Sequence, residues 1–113
     1  MHNYDKLIGK LHTELKQHLR TMKELQITLD EDNEDGTAYL SVSYPLSEYM
    51  KQGFDFGSKH PDTIITEAVK RIMGKFFLKS GSGGGCGWRD IGFVEKEGVT
   101  LKRLIEKGVR TNA

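Results

Sequence analysis

The feature that most constrains the fold is a change of hydrophobic period near Leu25. Before it, Tyr4, Leu7, Ile8, Leu11, Leu15, Leu19 and Met22 recur at three- and four-residue spacing. That spacing places them on one stripe of a helix predicted from about Asn3 to Glu24. After it, Leu25, Ile27 and Leu29 alternate with Gln26, Thr28 and Asp30, the period-two pattern of a half-buried strand. Helix and strand must therefore share one core. Lys6, Lys10, Lys16, Arg20 and Lys23 fall on the far side of the first helix, where they form a solvated face or, on a sharper reading, a phosphate-facing one.

Asp35-Gly36 is a hairpin-type dipeptide, and Ala38, Leu40, Val42 and Tyr44 then alternate with Thr37, Tyr39, Ser41 and Ser43 up to Pro45. A second strand paired antiparallel with the first follows. Leu46 to Gln52 can make one or two helical turns, with Gly53 as a stop. Pro61 and Asp62 then mark a helix start, and Ile64, Ile65, Ala68, Val69, Ile72, Met73 and Phe76 cover about half of the circumference of a second main helix, predicted to end at Lys79.

Ser80 to Gly87 reads Ser-Gly-Ser-Gly-Gly-Gly-Cys-Gly, a run predicted to be a flexible glycine-rich loop (80–87) because unrestrained glycine disfavours regular structure. Trp88 to Val94 is strand-like. Thr100 caps a short helix in which Leu101, Leu104 and Ile105 face inward and which Gly108 ends. The expected fold class is α+β: a small antiparallel sheet with two main helices packed on one face and a short C-terminal helix.

A chain of 113 residues is the size of one domain, so residues 1–113 are read as a single domain. No stretch has the pattern of a signal peptide, and no apolar run approaches membrane-spanning length. Cys86 is the single cysteine; it closes no disulfide within the chain and builds no zinc site alone, which fits a cytoplasmic setting. Residues 1–60 hold 7 Lys and Arg against 10 Asp and Glu, net −3, and residues 61–113 hold 10 against 6, net +4. The basic second half admits an anionic partner.

Two constellations follow from these patterns. Glycine-rich backbone can approach an anion closely, and Gly83, Gly84 and Gly85 have suitable neighbours in Lys75, Lys79, Trp88 and Arg89, which supply positive charge, a stacking face and a bidentate guanidinium. The segment lacks the Gly-Lys-Ser/Thr ending of a P-loop and follows a helix instead of a strand. The competing reading makes Trp88 a core aromatic and pairs Arg89 with Asp90 or Glu95. The second constellation is Asp30 to Asp35, with five carboxylates in six residues. It fails as an EF-hand, because counting from Glu31 puts Gly36 sixth but Val42 twelfth, where a carboxylate is needed. It is a solvated hairpin tip, or one that docks on a basic surface through Asp30, Asp32 and Asp35.

No catalytic signature, cofactor motif or metal-ligand spacing is evident. The sequence therefore reads as a non-enzymatic binding or regulatory module acting through a protein partner or a nucleic acid, the two standing about equal. An inhibitor or adaptor of a nucleic-acid-handling complex is the alternative. A small enzyme using Cys86 with His12, His18 or His60 as base is a third option. The broad apolar helix over Ile64 to Phe77 leaves room for a homodimer.

Overall fold

The structure is a computed structural model that describes residues 4–19, 23–31, 34–47 and 60–106. Among them, helix α1 (Tyr4–His18) leads into β1 (Gln26–Asp30) and β2 (Tyr39–Pro45); helix α2 (Pro61–Met73) leads into β3 (Phe77–Gly85) and β4 (Trp88–Glu95); and helix α3 (Glu97–Glu106) closes the series. The strands form one four-stranded sheet in the order β1-β2-β4-β3, every neighbouring pair antiparallel. The expected α+β class, with α1 and α2 on one sheet face and a short C-terminal helix, is the observed one.

The alternation read from the sequence builds the core. Leu40, Val42 and Tyr44 of β2 lie opposite Phe93, Ile91 and Arg89 of β4 in register, while Ile27 and Leu29 of β1 lie opposite Val42 and Leu40. Onto this inner face α1 lowers Tyr4, Leu11 and Leu15, and α2 lowers Ile65, Ala68, Val69 and Met73, all buried. Each fully buried large aliphatic side chain contributes about 1.5–3 kcal/mol. The Arg71–Glu14 ion pair ties α2 to α1.

Three expectations need correction. The first helix does not run to Glu24: α1 ends at His18, and Lys23 and Glu24 lie in a turn. His18 is accordingly exposed and lies 4.0 Å from Glu14 rather than at the core edge. The second helix ends at Met73, not Lys79. Gly74 is its C-cap, where a Cβ would collide with the Lys70 carbonyl oxygen, and Phe76 N–H turns back to the Met73 carbonyl at 2.9 Å. Phe77 to Lys79, read as the end of that helix, begins β3 instead.

The third correction concerns the glycine-rich segment. Ser80 to Gly85 is not a loop but the continuation of β3, paired residue by residue with β4 from Phe77↔Glu95 to Gly85↔Trp88, with one bulge between Lys79 and Gly81. Ladder hydrogen bonds to β4 supply the order that glycine's own preferences do not. Only Cys86 and Gly87 remain as the turn, with φ of 53° and 82°. Positive φ at both central residues is the geometry of a type I′ hairpin, in which Asn-Gly is favoured. Cysteine in the left-handed region is strained by about 1 kcal/mol or more. Cys86→Asn is therefore expected to raise the stability by roughly 0.5–1 kcal/mol, read as a higher urea midpoint at unchanged slope.

Candidate functional site

The residues predicted to form an anion site are divided by the sheet. Gly83, Gly84 and Gly85 lie beside Asp90, Arg89 and Trp88 near the hairpin turn, Lys79 pairs with Phe93 further along β3, and Lys75 sits exposed in the turn before the strand. Arg89 projects to the helix side. Its Nε and Nη2 donate to Asp62 Oδ2 at 3.0 and 2.8 Å, and Nη2 also donates to Ser82 Oγ at 3.2 Å. Tyr44 completes the cluster by donating to Asp62 Oδ1 at 2.7 Å. Burial would raise the Asp62 carboxyl, but the hydrogen bonds from Arg89 and Tyr44 prevail and hold it below its ordinary value.

Asp62 lies in the first turn of α2, after Pro61, and its N–H donates to the capping His60 Nδ1 at 3.0 Å. A carboxylate there is favoured by the helix dipole. The Arg89 guanidinium is thus matched by a carboxylate within the chain, and it fastens β4 to the start of α2. The alternative pairings read from sequence are taken otherwise: Asp90 accepts from Ser43 at 2.5 Å, and Glu95 accepts from Arg103.

Among the described residues, Glu95 is the centre of the most buried polar cluster. Its carboxylate accepts from Arg103 Nε and Nη2 at 3.0 and 2.8 Å, from Thr100 Oγ1 at 2.6 Å, from the Ala38 N–H at 3.3 Å and from the Tyr4 hydroxyl. Arg103 also donates to the Gly36 carbonyl. Burial pushes the Glu95 carboxyl up, yet these donors bring it down to about 2. Burial and the Glu95 hydrogen bond raise the Tyr4 phenol. Arg103 is 2% exposed, so α3 turns a different face inward from the expected one: Thr100, read as the cap, lies inside the helix and goes in with Arg103, Leu104 is half-buried against Gly36, and Leu101 and Ile105 are 48% and 60% exposed. Nothing in the local sequence pattern marks this pair, because an inward arginine breaks an apolar stripe.

The acidic segment is anchored rather than free. Asp35 Oδ1 accepts from the Thr37 N–H at 2.9 Å. Gly36, at φ 77°, is pressed so closely on Leu104 that a Cβ would come within 2.9 Å of it. Asp30 is the exposed last residue of β1, and Asp32 lies outside the described residues. Cys86 is exposed at the hairpin turn; His60 serves as a helix cap, and His12 and His18 lie on α1. Among the described residues no group of three or more His, Cys, Asp and Glu is placed to hold a metal ion, and no helix is long and apolar enough to cross a membrane.

What the fold does present is an edge. β3 is nine residues long, stands last in the sheet, and from Leu78 to Gly85 every residue is exposed. Alternation from the buried positions puts Gly81, Gly83 and Gly85 on the face away from the helices, together with Leu78, Trp88 and Val94. An added Cβ at Gly81, Gly83 or Gly85 would meet nothing within 4 Å among the described residues. Packing within the described chain therefore gives no reason for three glycines whose presence in a strand costs roughly 0.5–1 kcal/mol each. The described strand positions on this face carry Asp30 and Asp90 but no lysine or arginine.

Comparisons with protein-family models, with curated proteins and with solved structures give no match to this chain.

Proposed function

We propose that the protein is a non-enzymatic binding module whose β3 edge receives an extended segment of a protein partner as an additional strand. The observation that carries this reading is the exposed, glycine-rich edge strand. An unpaired strand edge is a row of backbone donors and acceptors that templates another chain, and natural proteins usually blunt it with charge, proline or a bulge. Here Lys79 and the bulge beside it guard one half, and Gly81 to Gly85 carry no such device. Strand addition of this kind gives affinity through the main chain and specificity through alternate side chains. Glycine within a strand suits close approach by another backbone.

The nucleic-acid reading draws less support. Arg89 is matched by Asp62, and the outer sheet face holds acids without described cations, whereas polyanion binding needs lysine and arginine toward phosphates. A module that docks by its edge suits an adaptor or inhibitor of a larger assembly.

The test is capture of partners by the tagged protein, with and without nuclease, beside a Gly83→Lys variant. Space around Gly83 admits the side chain, and edge lysine opposes strand pairing. Capture of a stoichiometric protein that resists nuclease and is lost with Gly83→Lys is expected. Nuclease-sensitive capture, or capture indifferent to Gly83→Lys, would count against the proposal.

A further inference from the structure

Between α2 and the start of β3 lies a cavity of about 270 Å³ whose walls include Thr66, Val69, Lys70, Phe77, Lys79 and Lys96. Its floor is apolar, with Val69 and Phe77 buried at 1% and 3% exposure. Its rim is basic: Lys70 and Lys79 are exposed and Lys96 is half-buried, and none of the three has an acidic partner among the described residues. Thr66 Oγ1 is buried without a hydrogen-bond partner among the described residues, a condition that costs about 1–3 kcal/mol. Lys79 thus belongs not with Arg89 but with Lys70 and Lys96, two residues that the sequence reading did not single out.

We propose that this groove accepts an acidic side chain, flanked by an apolar one, from the partner strand docked on β3. The inference rests on the edge-docking reading. Side chains of an added strand alternate between the two sheet faces, and the residues by which a strand paired with Gly81 to Gly85 continues past the bulge bring their helix-side side chains beside α2, over the cavity at Phe77 to Lys79. An apolar side chain covers Val69 and Phe77 there. A neighbouring carboxylate reaches the lysine ammonium groups at the rim and accepts charge-assisted hydrogen bonds from them. The volume lies just under the ~300 Å³ at which drug-sized ligand pockets begin, which suits one or two side chains better than a whole cofactor.

The experiment is selection of binders from a phage-displayed library of random twelve-residue peptides, with synthetic versions of the winners titrated against three proteins: wild type, Gly83→Lys, and the double variant Lys70→Glu/Lys79→Glu. Both lysines are exposed, so charge reversal should leave the fold intact. Winners should carry Asp or Glu beside an apolar residue, lose at least tenfold in affinity when that acid becomes Gln or when the two lysines are reversed, and lose binding to Gly83→Lys. Winners that need the edge but show no acid preference and ignore the lysine reversal would overturn the groove inference alone. Failure to recover any peptide sensitive to Gly83→Lys would overturn the edge reading beneath it, as would acid-selective binding that ignores that change.

Discussion

Arg103→Ala is expected to cost about 3–5 kcal/mol, the usual penalty for leaving one member of a buried ion pair without its counter-charge. Glu95 would remain enclosed with Tyr4, Thr100 and the Ala38 N–H as its only described donors. Because domains of this size hold about 5–15 kcal/mol in all, the variant should be close to unfolding at physiological temperature. A Glu95→Leu/Arg103→Met variant should be more stable than Arg103→Ala, since apolar replacement of both partners avoids a lone buried charge. It should still fall below wild type, because the Ala38 N–H and the Thr100 and Tyr4 hydroxyls lose their acceptor. Urea titration of the variants checks the order, and an Arg103→Ala protein as stable as wild type would contradict the cluster's structural role.

The same carboxylate fixes the acid limb of stability. Its folded value of about 2 lies below the ordinary 4.5, so the unfolded chain binds its proton first as pH falls. The stabilisation is complete above pH 4.5 and is lost progressively toward about 2. Unfolding midpoints between pH 6 and 2 should therefore drop through this window. The drop should be much shallower in Glu95→Leu/Arg103→Met.

The second large effect separates stability from binding. The triple variant Gly81→Thr/Gly83→Thr/Gly85→Thr should fold more stably than wild type by roughly 1–3 kcal/mol, because each glycine gives up about 0.5–1 kcal/mol in a strand and threonine favours the pleated conformation. None of the three has positive φ, and each has open space where the Cβ would stand. Partner affinity should fall at least a hundredfold, about 2.7 kcal/mol, because the outer-face side chains of a docked strand, which lie beside bare glycine backbone in the wild type, would meet three branched side chains. Thermal melting reads the first quantity and titration of a captured partner or selected peptide the second. A variant that is both more stable and fully competent to bind would remove the glycines from the account.

Much of the fold was legible because its signals are local. The stripe on α1, the alternation of β1, β2 and β4 and the Pro61-Asp62 helix start each depend on residues a few positions apart. β3 was illegible for the opposite reason. Its Ser80 to Gly85 half has no side chains that favour a strand, and its order comes from pairing with β4. The second helix looked longer than it is because Phe76 continues the apolar period past Gly74, where the cap ends it. The site residues were partly visible. Gly83, Gly85 and Lys79 were singled out by type, yet the groove needs Thr66, Lys70 and Lys96 from two other segments. The pairs Asp62–Arg89 and Tyr4–Glu95 span 27 and 91 positions, and no periodicity connects residues so far apart.

Amide hydrogen exchange across β3, in the free protein and in complex with a captured partner, tests docking at this edge. Amides on the open side of Leu78 to Gly85 should exchange quickly in the free protein and be strongly protected in the complex, with the paired β4 amides little changed. Protection confined to α1 or to the Asp30–Asp35 turn, with β3 exchanging as before, would contradict it.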